Sequence, residues 1–274
     1  MKPAIGPATR LCMSVSARPS TFGSRFHNHL YEQLGLDYVY KAFRVEDIAG
    51  VVAGIRALSV RGCAVSMPFK EAVIPLLDGL DPSAEVIASV NTIVNTDGRL
   101  SGYNTDYGAV RRLLEQSGLA TDTPFVLRGS GGMAKAVAAA LRDAGFSRGE
   151  IVARNAETGR ALASGYGFDW RAELGEPAAL LINVTPLGMV GPERDELAFP
   201  KAWIEACEAV MDVVALPLET PLLALARAQG KQLITGGDIA VLQALEQFTL
   251  YTGLTPAPEQ VEAAAAFARA GVAR

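Results

Sequence analysis

The chain has 274 residues, half of them apolar, and a formal net charge of −4. That length and apolar content suffice for one large or two modest cores, while the mild acidity removes any electrostatic reason to expect nucleic acid or an anionic membrane as partner. A small molecule is the better expectation.

The opening residues, MKPAIGPATRLCMS, carry no apolar leader core, and no stretch reaches the ~20 apolar residues of a membrane span, so a cytoplasmic location is expected. The three cysteines, Cys12, Cys63 and Cys207, are far apart and lack metal-ligand spacing. They read as buried thiols, with no disulfide framework and no metal site.

In chain order, LCMSVS, DYVYKAF and GCAVSM are short strand-like runs, followed later by FVLRGSGG, EIVARN, ALLINVT, AVMDVVAL and KQLITGG. Helical patterns separate them. Strands alternating with amphipathic helices predict an α/β protein with mostly parallel sheets. His27 and His29 fall two apart in an early helix and face different ways, so structural or surface roles suit them better than ligation. GCAVSMPFKEAV sets Lys70 straight after a strand and a proline-aromatic turn, where a helix is expected to begin and a cap residue would be usual. The Asp-Gly pair in SVNTIVNTDGRLSGY predicts one hairpin in this half, the other pairings being parallel.

TDYGAVRRLLEQSG, apolar at Val110, Leu113 and Leu114, predicts a helix leading to a second domain. FVLRGSGGMAKAVAAAL is a strand, a glycine turn and a helix: Gly129, Gly131 and Gly132 permit a tight turn and close approach of a pyrophosphate held at the helix N-terminus, or else serve only as a tight strand-helix turn. The following strand ends in Arg154 and Asn155 instead of a carboxylate, which favours a 2′-phosphate and hence NADP, the alternative being a solvated surface arginine. INVTPLGMVG places Thr185 and Met189 on the carboxyl edge of the sheet, where they suit either dinucleotide contact or an ordinary loop. The closing helix, PEQVEAAAAFARAG, has no strand to follow it and is expected to return to the first domain, making the middle third an insertion.

In the first domain, Ser14, Ser16, Ser66, Lys70, Asn91, Asn104 and Asp106 fall at strand ends. Together they suit a ligand with several hydroxyls and a carboxylate. Singly, Asn91 and Asp106 also suit turn or N-cap positions, and Lys70 a solvated first-turn lysine.

The ordered set SVS, AVSMPFKE, SVNTIVN, GYNTDYG, GSGGMAKAV, NVTPLGM, PLETPLL and GGDIAVLQALEQFTLYTG resembles the shikimate dehydrogenase family over nearly the whole chain, and is nearest its shikimate dehydrogenase-like branch. The resemblance implies an N-terminal mixed-sheet substrate domain over 1–106 and 238–274, with an inserted Rossmann-like NADP domain over 107–237. It implies Lys70 and Asp106 as the catalytic pair. Ser14, Ser16, Ser66, Asn91 and Gln243 are implied to hold the substrate, and Gly129, Ser130, Gly131, Gly132, Arg154, Asn155, Thr185, Met189, Val213 and Gly236 the NADP. The implied activity is NADP-dependent hydride transfer to or from a ring alcohol of shikimate or a similar hydroxy acid, by a monomer or homodimer. Three departures stand out: extra residues after Ser16 that bring Arg18, Ser20 and Thr21 beside the carboxylate site, Ala215 in place of a tyrosine, and ARNAETGR in place of NRTxxR. Quinate or an aminated analogue therefore competes with shikimate as substrate. A non-catalytic sensor is the rival of another class, although a pure binder would not need Lys70 with Asp106.

Overall fold

The computed structural model describes residues 2–271. One compact unit comprises the described residues up to Thr105 together with those from Val241 onward; the other comprises Asp106–Ala240. The divisions fall inside two helices, after Thr105 and after Ala240, where breaks after 106 and before 238 were expected.

The first unit opens with β1 (Arg10–Ser16), α1 (Phe22–Gln33), β2 (Tyr38–Arg44), α2 (Ile48–Ala57) and β3 (Gly62–Val65). A 3-10 turn (Ile74–Leu76), β4 (Gly79–Leu80), the short α3 (Pro82–Glu85), β5 (Thr92–Thr96) and β6 (Arg99–Tyr103) follow. The sheet order is β2-β1-β3-β5-β6-β4. The Asp-Gly hairpin forms between β5 and β6, with Asp97 at φ 51° and Gly98 at φ 89°, the positive angles that a two-residue hairpin turn requires. The other pairings are not all parallel, however: β5 also runs antiparallel to β3. No α-helix begins at Lys70 either. Phe69 sinks into the core and draws residues 68–73 into turns that reach only the 3-10 turn.

Alternation along β1 separates two cores. Cys12 packs with Phe26, Leu30, Tyr40, Phe248 and Ala264 on one face, and Met13 and Val15 pack with Ile55, Cys63 and Ile93 on the other. All three cysteines are buried and unpaired. His27 is fully buried, its ring stacked on Tyr40 at 4.4 Å, and His29 stacks on Phe267 at 4.7 Å.

The second unit is reached through α4 (Thr105–Ser117) and contains β7 (Phe125–Arg128), α5 (Gly132–Asp143), β8 (Gly149–Val152), α6 (Ala156–Tyr166), β9 (Asp169–Arg171) and β10 (Leu180–Asn183). It continues with α7 (Lys201–Ala206), β11 (Ala209–Asp212), α8 (Pro221–Ala228) and β12 (Gln232–Thr235), after which α9 (Gly236–Thr252) leads back to the first unit and α10 (Pro258–Ala270). The sheet order is β12-β11-β10-β7-β8-β9, parallel throughout. Chain direction of winding reverses between β7 and β10, which makes their carboxyl ends the switch point where open α/β sheets take ligands. Ala264, Ala265 and Ala268 of α10 complete the core around Phe26 and Leu30.

Candidate functional site

In the first unit, polar groups gather at the carboxyl ends of β1 and β3 and around the start of α4. Ser14 and Ser16 leave the same face of β1 as Cys12, beyond the apolar part of that core. Ser14 lies beside the buried Tyr40 hydroxyl, whose pKa burial pushes up. Ser16 Oγ is buried and makes no hydrogen bond within the described residues, an unusual state for a hydroxyl and one that leaves a partner to be supplied.

The segment carrying Ser66 and Lys70 is locked through its backbone. Ser66 N donates to Val15 O at 3.0 Å, Phe69 N to Ser66 O at 3.0 Å, Ala17 N to Met67 O at 3.2 Å and Val90 N to Lys70 O at 2.8 Å. With Phe69 in the core as anchor, Lys70 is held half-buried at a fixed place next to Asn91. The loop after Ser16 is thereby tied to the lysine segment.

Asn91 is buried, and it caps the entry to α4 from a distance in sequence instead of sitting in a turn of its own. Its Oδ1 accepts from Thr105 N at 2.9 Å and from Thr92 Oγ1 at 2.8 Å, while its Nδ2 donates to Thr105 Oγ1 at 3.1 Å. Thr105 Oγ1 reaches Gln243 Oε1 at 3.4 Å. Asn91 and Gln243, far apart in sequence, are thus brought to one point immediately before Asp106, which occupies the first turn of α4. Thr92, Thr105 and Gln247, which extend this network, were not anticipated; the only signal was a polar run, VNT, inside an apolar strand.

In the second unit the glycine turn sits at the switch point. Gly129 has φ +125°, and a Cβ there would lie 2.9 Å from Val184 O, so backbone geometry and packing both require glycine. Gly131 and Gly132 are different. Neither has a positive φ, and a Cβ on either would meet nothing within 4 Å. The protein itself gives no reason for glycine at these two positions; a cradle that a Cβ would fill, at the N-terminus of a 12-residue helix, fits a phosphate.

Arg154 is exposed just beyond β8. Arg128 lies near enough that burial and then the Arg154 charge lower its pKa, and its guanidinium donates to Ala198 O. Asn155 is occupied as N-cap of α6, accepting from Glu157 N at 3.0 Å and Thr158 N at 3.1 Å. Ser130 Oγ and Thr158 Oγ1 are bonded at 2.8 Å. An exposed arginine and the open turn at Gly131 and Gly132 fit a 2′-phosphorylated dinucleotide.

Thr185 follows β10 and gives its hydroxyl to Asn183 Oδ1 at 2.6 Å. Asn183 in turn donates to Asp212 Oδ1 at 3.0 Å, and Thr220 Oγ1 donates to Asp212 Oδ2 at 2.6 Å. Burial raises the Asp212 pKa, against the pull of those bonds. This buried knot, which a lone carboxylate inside the strand VMDVV could have signalled, fixes the loops bearing Thr185, Met189 and Val213. Met189 is exposed, as is Ala215, and Val190 N donates to Leu216 O at 3.0 Å. At Gly236 a Cβ would lie 2.4 Å from Val214 O, so the glycine there lets α9 start against the β11 loop. Among the described residues, no group of three or more His, Cys, Asp or Glu is placed to hold a metal, and no helix is long and apolar enough to cross a membrane.

Comparison with known proteins places these features in context. A family model described as the shikimate dehydrogenase substrate binding domain matches residues 20–93. A shikimate dehydrogenase-like protein of Haemophilus influenzae is 52% identical over 97% of this chain and 98% of its own length. The solved structure of a shikimate 5-dehydrogenase-like protein, also 52% identical, superposes with a TM-score of 0.94 over 97% of this chain and 100% of that one. The Thermus thermophilus shikimate 5-dehydrogenase, solved with NADP(H) and shikimate, is 31% identical with a TM-score of 0.83, covering 94% of this chain and 99% of that one.

Proposed function

Since this chain belongs to the shikimate dehydrogenase family, we propose that it is an NADP-dependent oxidoreductase acting on a ring secondary alcohol of shikimate or a closely similar hydroxy acid. The observation that carries the reading is the pair Gly131 and Gly132, glycines that neither backbone angle nor packing demands, opening α5.

In this reading NADP, when bound, supplies the acceptor or donor of hydride. The residues of the chain do the rest. Ser14 and Ser16 hold the acid group through their hydroxyls, with Ser66, Asn91 and Gln243 hydrogen-bonding the ring oxygens. As an alcohol is oxidised its hydroxyl proton must leave, and a group within hydrogen-bond reach must take it. Lys70 Nζ is assigned that proton, and Asp106 the orientation of the lysine and a grip on a substrate hydroxyl. On the cofactor side, Gly129–Gly132 and Ser130 receive the pyrophosphate, Arg154 the 2′-phosphate, and Thr185, Met189, Val213 and Gly236 line the remainder. Cytoplasmic location and a monomeric or homodimeric state complete the proposal.

Ala215 favours a substrate that differs from shikimate in the group a phenol would contact, because its methyl side chain cannot donate a hydrogen bond. The test is steady-state turnover of shikimate, quinate and aminated analogues with NADP and with NAD. Turnover of at least one of these acids, with NADP preferred, supports the reading; binding without turnover of any would make the chain a sensor.

A further inference from the structure

Gln247 lies one helical turn beyond Gln243 on α9, so the two amides leave the same face of that helix. It is only 3% exposed, so an unbonded amide there would be costly. Its Nε2 donates to Thr92 Oγ1 at 3.0 Å. With that lone pair taken, the Thr92 proton goes to Asn91 Oδ1 at 2.8 Å, and Thr105 N donates to the same oxygen at 2.9 Å. Two donors on Oδ1 settle which end of the Asn91 amide is which. Nδ2 then gives one proton to Thr105 Oγ1 at 3.1 Å and keeps a second that no described residue accepts. At the far end of the chain, His27 of α1 faces the Gln247 amide and stays neutral, because burial pushes its pKa down to about 3.

We propose that Gln247 is a positioning residue for substrate recognition: by donating to Thr92 Oγ1 it commits the Thr92 proton to Asn91 Oδ1, which joins the Thr105 N–H in holding the Asn91 amide so that it offers an N–H, and not its carbonyl, to an oxygen of the bound hydroxy acid. Gln247 does not touch the substrate in this arrangement. The inference rests on the function proposed above, and it adds a specificity: the ligand atom facing Asn91 must be a hydrogen-bond acceptor.

Two substitutions test it. A carboxyl group at this position can donate when protonated but only accept once ionised, and burial raises its pKa above the usual carboxylate range. For Gln247→Glu, the shikimate KM relative to wild type is expected to stay near unity at about pH 5 and to rise about 3- to 10-fold towards pH 8, with kcat within about twofold. The titratable neighbours on the packed elements, Cys12 of β1, His27 of α1, Tyr40 of β2 and Tyr251 of α9, keep one protonation state over that range. Gln247→Leu, which can never donate, should show the raised KM at every pH and no step.

A readout independent of turnover is hydrogen exchange of the Asn91 side-chain amide followed by NMR. In Gln247→Leu that exchange should be at least about tenfold faster, while the backbone amides of β5 keep their protection. If wild type binds and turns over none of the acids, the proposed function falls and the exchange measurement alone decides the hydrogen-bond direction. Unchanged Asn91 exchange in Gln247→Leu, or a pH-flat KM ratio in Gln247→Glu, overturns the inference.

Discussion

Within one glycine turn, two substitutions should separate what the fold needs from what the cofactor needs. At Gly129, φ is +125° and an added Cβ would lie 2.9 Å from the Val184 carbonyl oxygen. Holding alanine there costs about 1–3 kcal/mol of backbone strain, and the contact forces β7 and β10 apart as well. At Gly132 the angle is ordinary and the Cβ meets nothing within 4 Å. Gly132→Ala should therefore leave the second unit as stable as wild type or more so, by about 0.4–1 kcal/mol from reduced freedom of the unfolded chain. The same methyl group stands where a phosphate must approach the α5 N-terminus, displacing a charge-assisted bond of about 1.5–3 kcal/mol, so the Kd for NADP should rise about 10- to 100-fold. Urea unfolding and a calorimetric NADP titration on both variants make the comparison. A Gly132→Ala protein that binds NADP as tightly as wild type would refute the reasoning, for the open space at the turn would then not be the phosphate site.

Three further outcomes are expected. Arg154→Ala should raise the NADP Kd by about tenfold or more and leave that for NAD nearly unchanged, through loss of one charge-assisted bond; an unaltered ratio of the two constants removes Arg154 from phosphate recognition. Lys70→Ala should lower kcat by about 10²- to 10⁴-fold with a much smaller change in substrate Kd, and Lys70→Arg should be nearly as inactive because a guanidinium does not release its proton at usable pH; near-normal kcat in Lys70→Arg excludes proton transfer by this residue. His27 is held neutral with a pKa of about 3 against 6.5 when unfolded, so between those values only the unfolded chain binds the proton and stability is lost as pH falls. The loss approaches about 1.4 kcal/mol per pH unit, or about 2 kcal/mol between pH 7 and pH 5, and His27→Phe should remove it; paired urea midpoints at the two pH values measure the slope.

The linear order of residues determined a good deal of this by local physics alone. LCMSVS reads as a short strand, and it forms β1, where Cys12 goes to one core and Met13 and Val15 to the other. Asn-Thr-Asp-Gly predicts its hairpin because both turn residues must take positive φ, and they do. A strand, a glycine turn and an alanine-rich helix predict β7 and α5 in the same way, each signal being contained within a few consecutive residues. The family resemblance rested on the same short motifs.

Tertiary structure alone decided what depends on partners distant in sequence. Nothing near Phe69 announces that it will enter the core and turn the following residues away from a helix; burial against Val73 and Val90 overrode local propensity. The antiparallel β3–β5 pair is a choice among strands that equally suit either direction. Asn155 also proves to be the N-cap of α6, its oxygen satisfying two backbone donors of that helix. Gln247, Thr92, Asn91 and Thr105 become one network only because α9 returns to β5 after the whole second unit, and a hydrogen bond formed across 155 residues of chain leaves no periodicity to read.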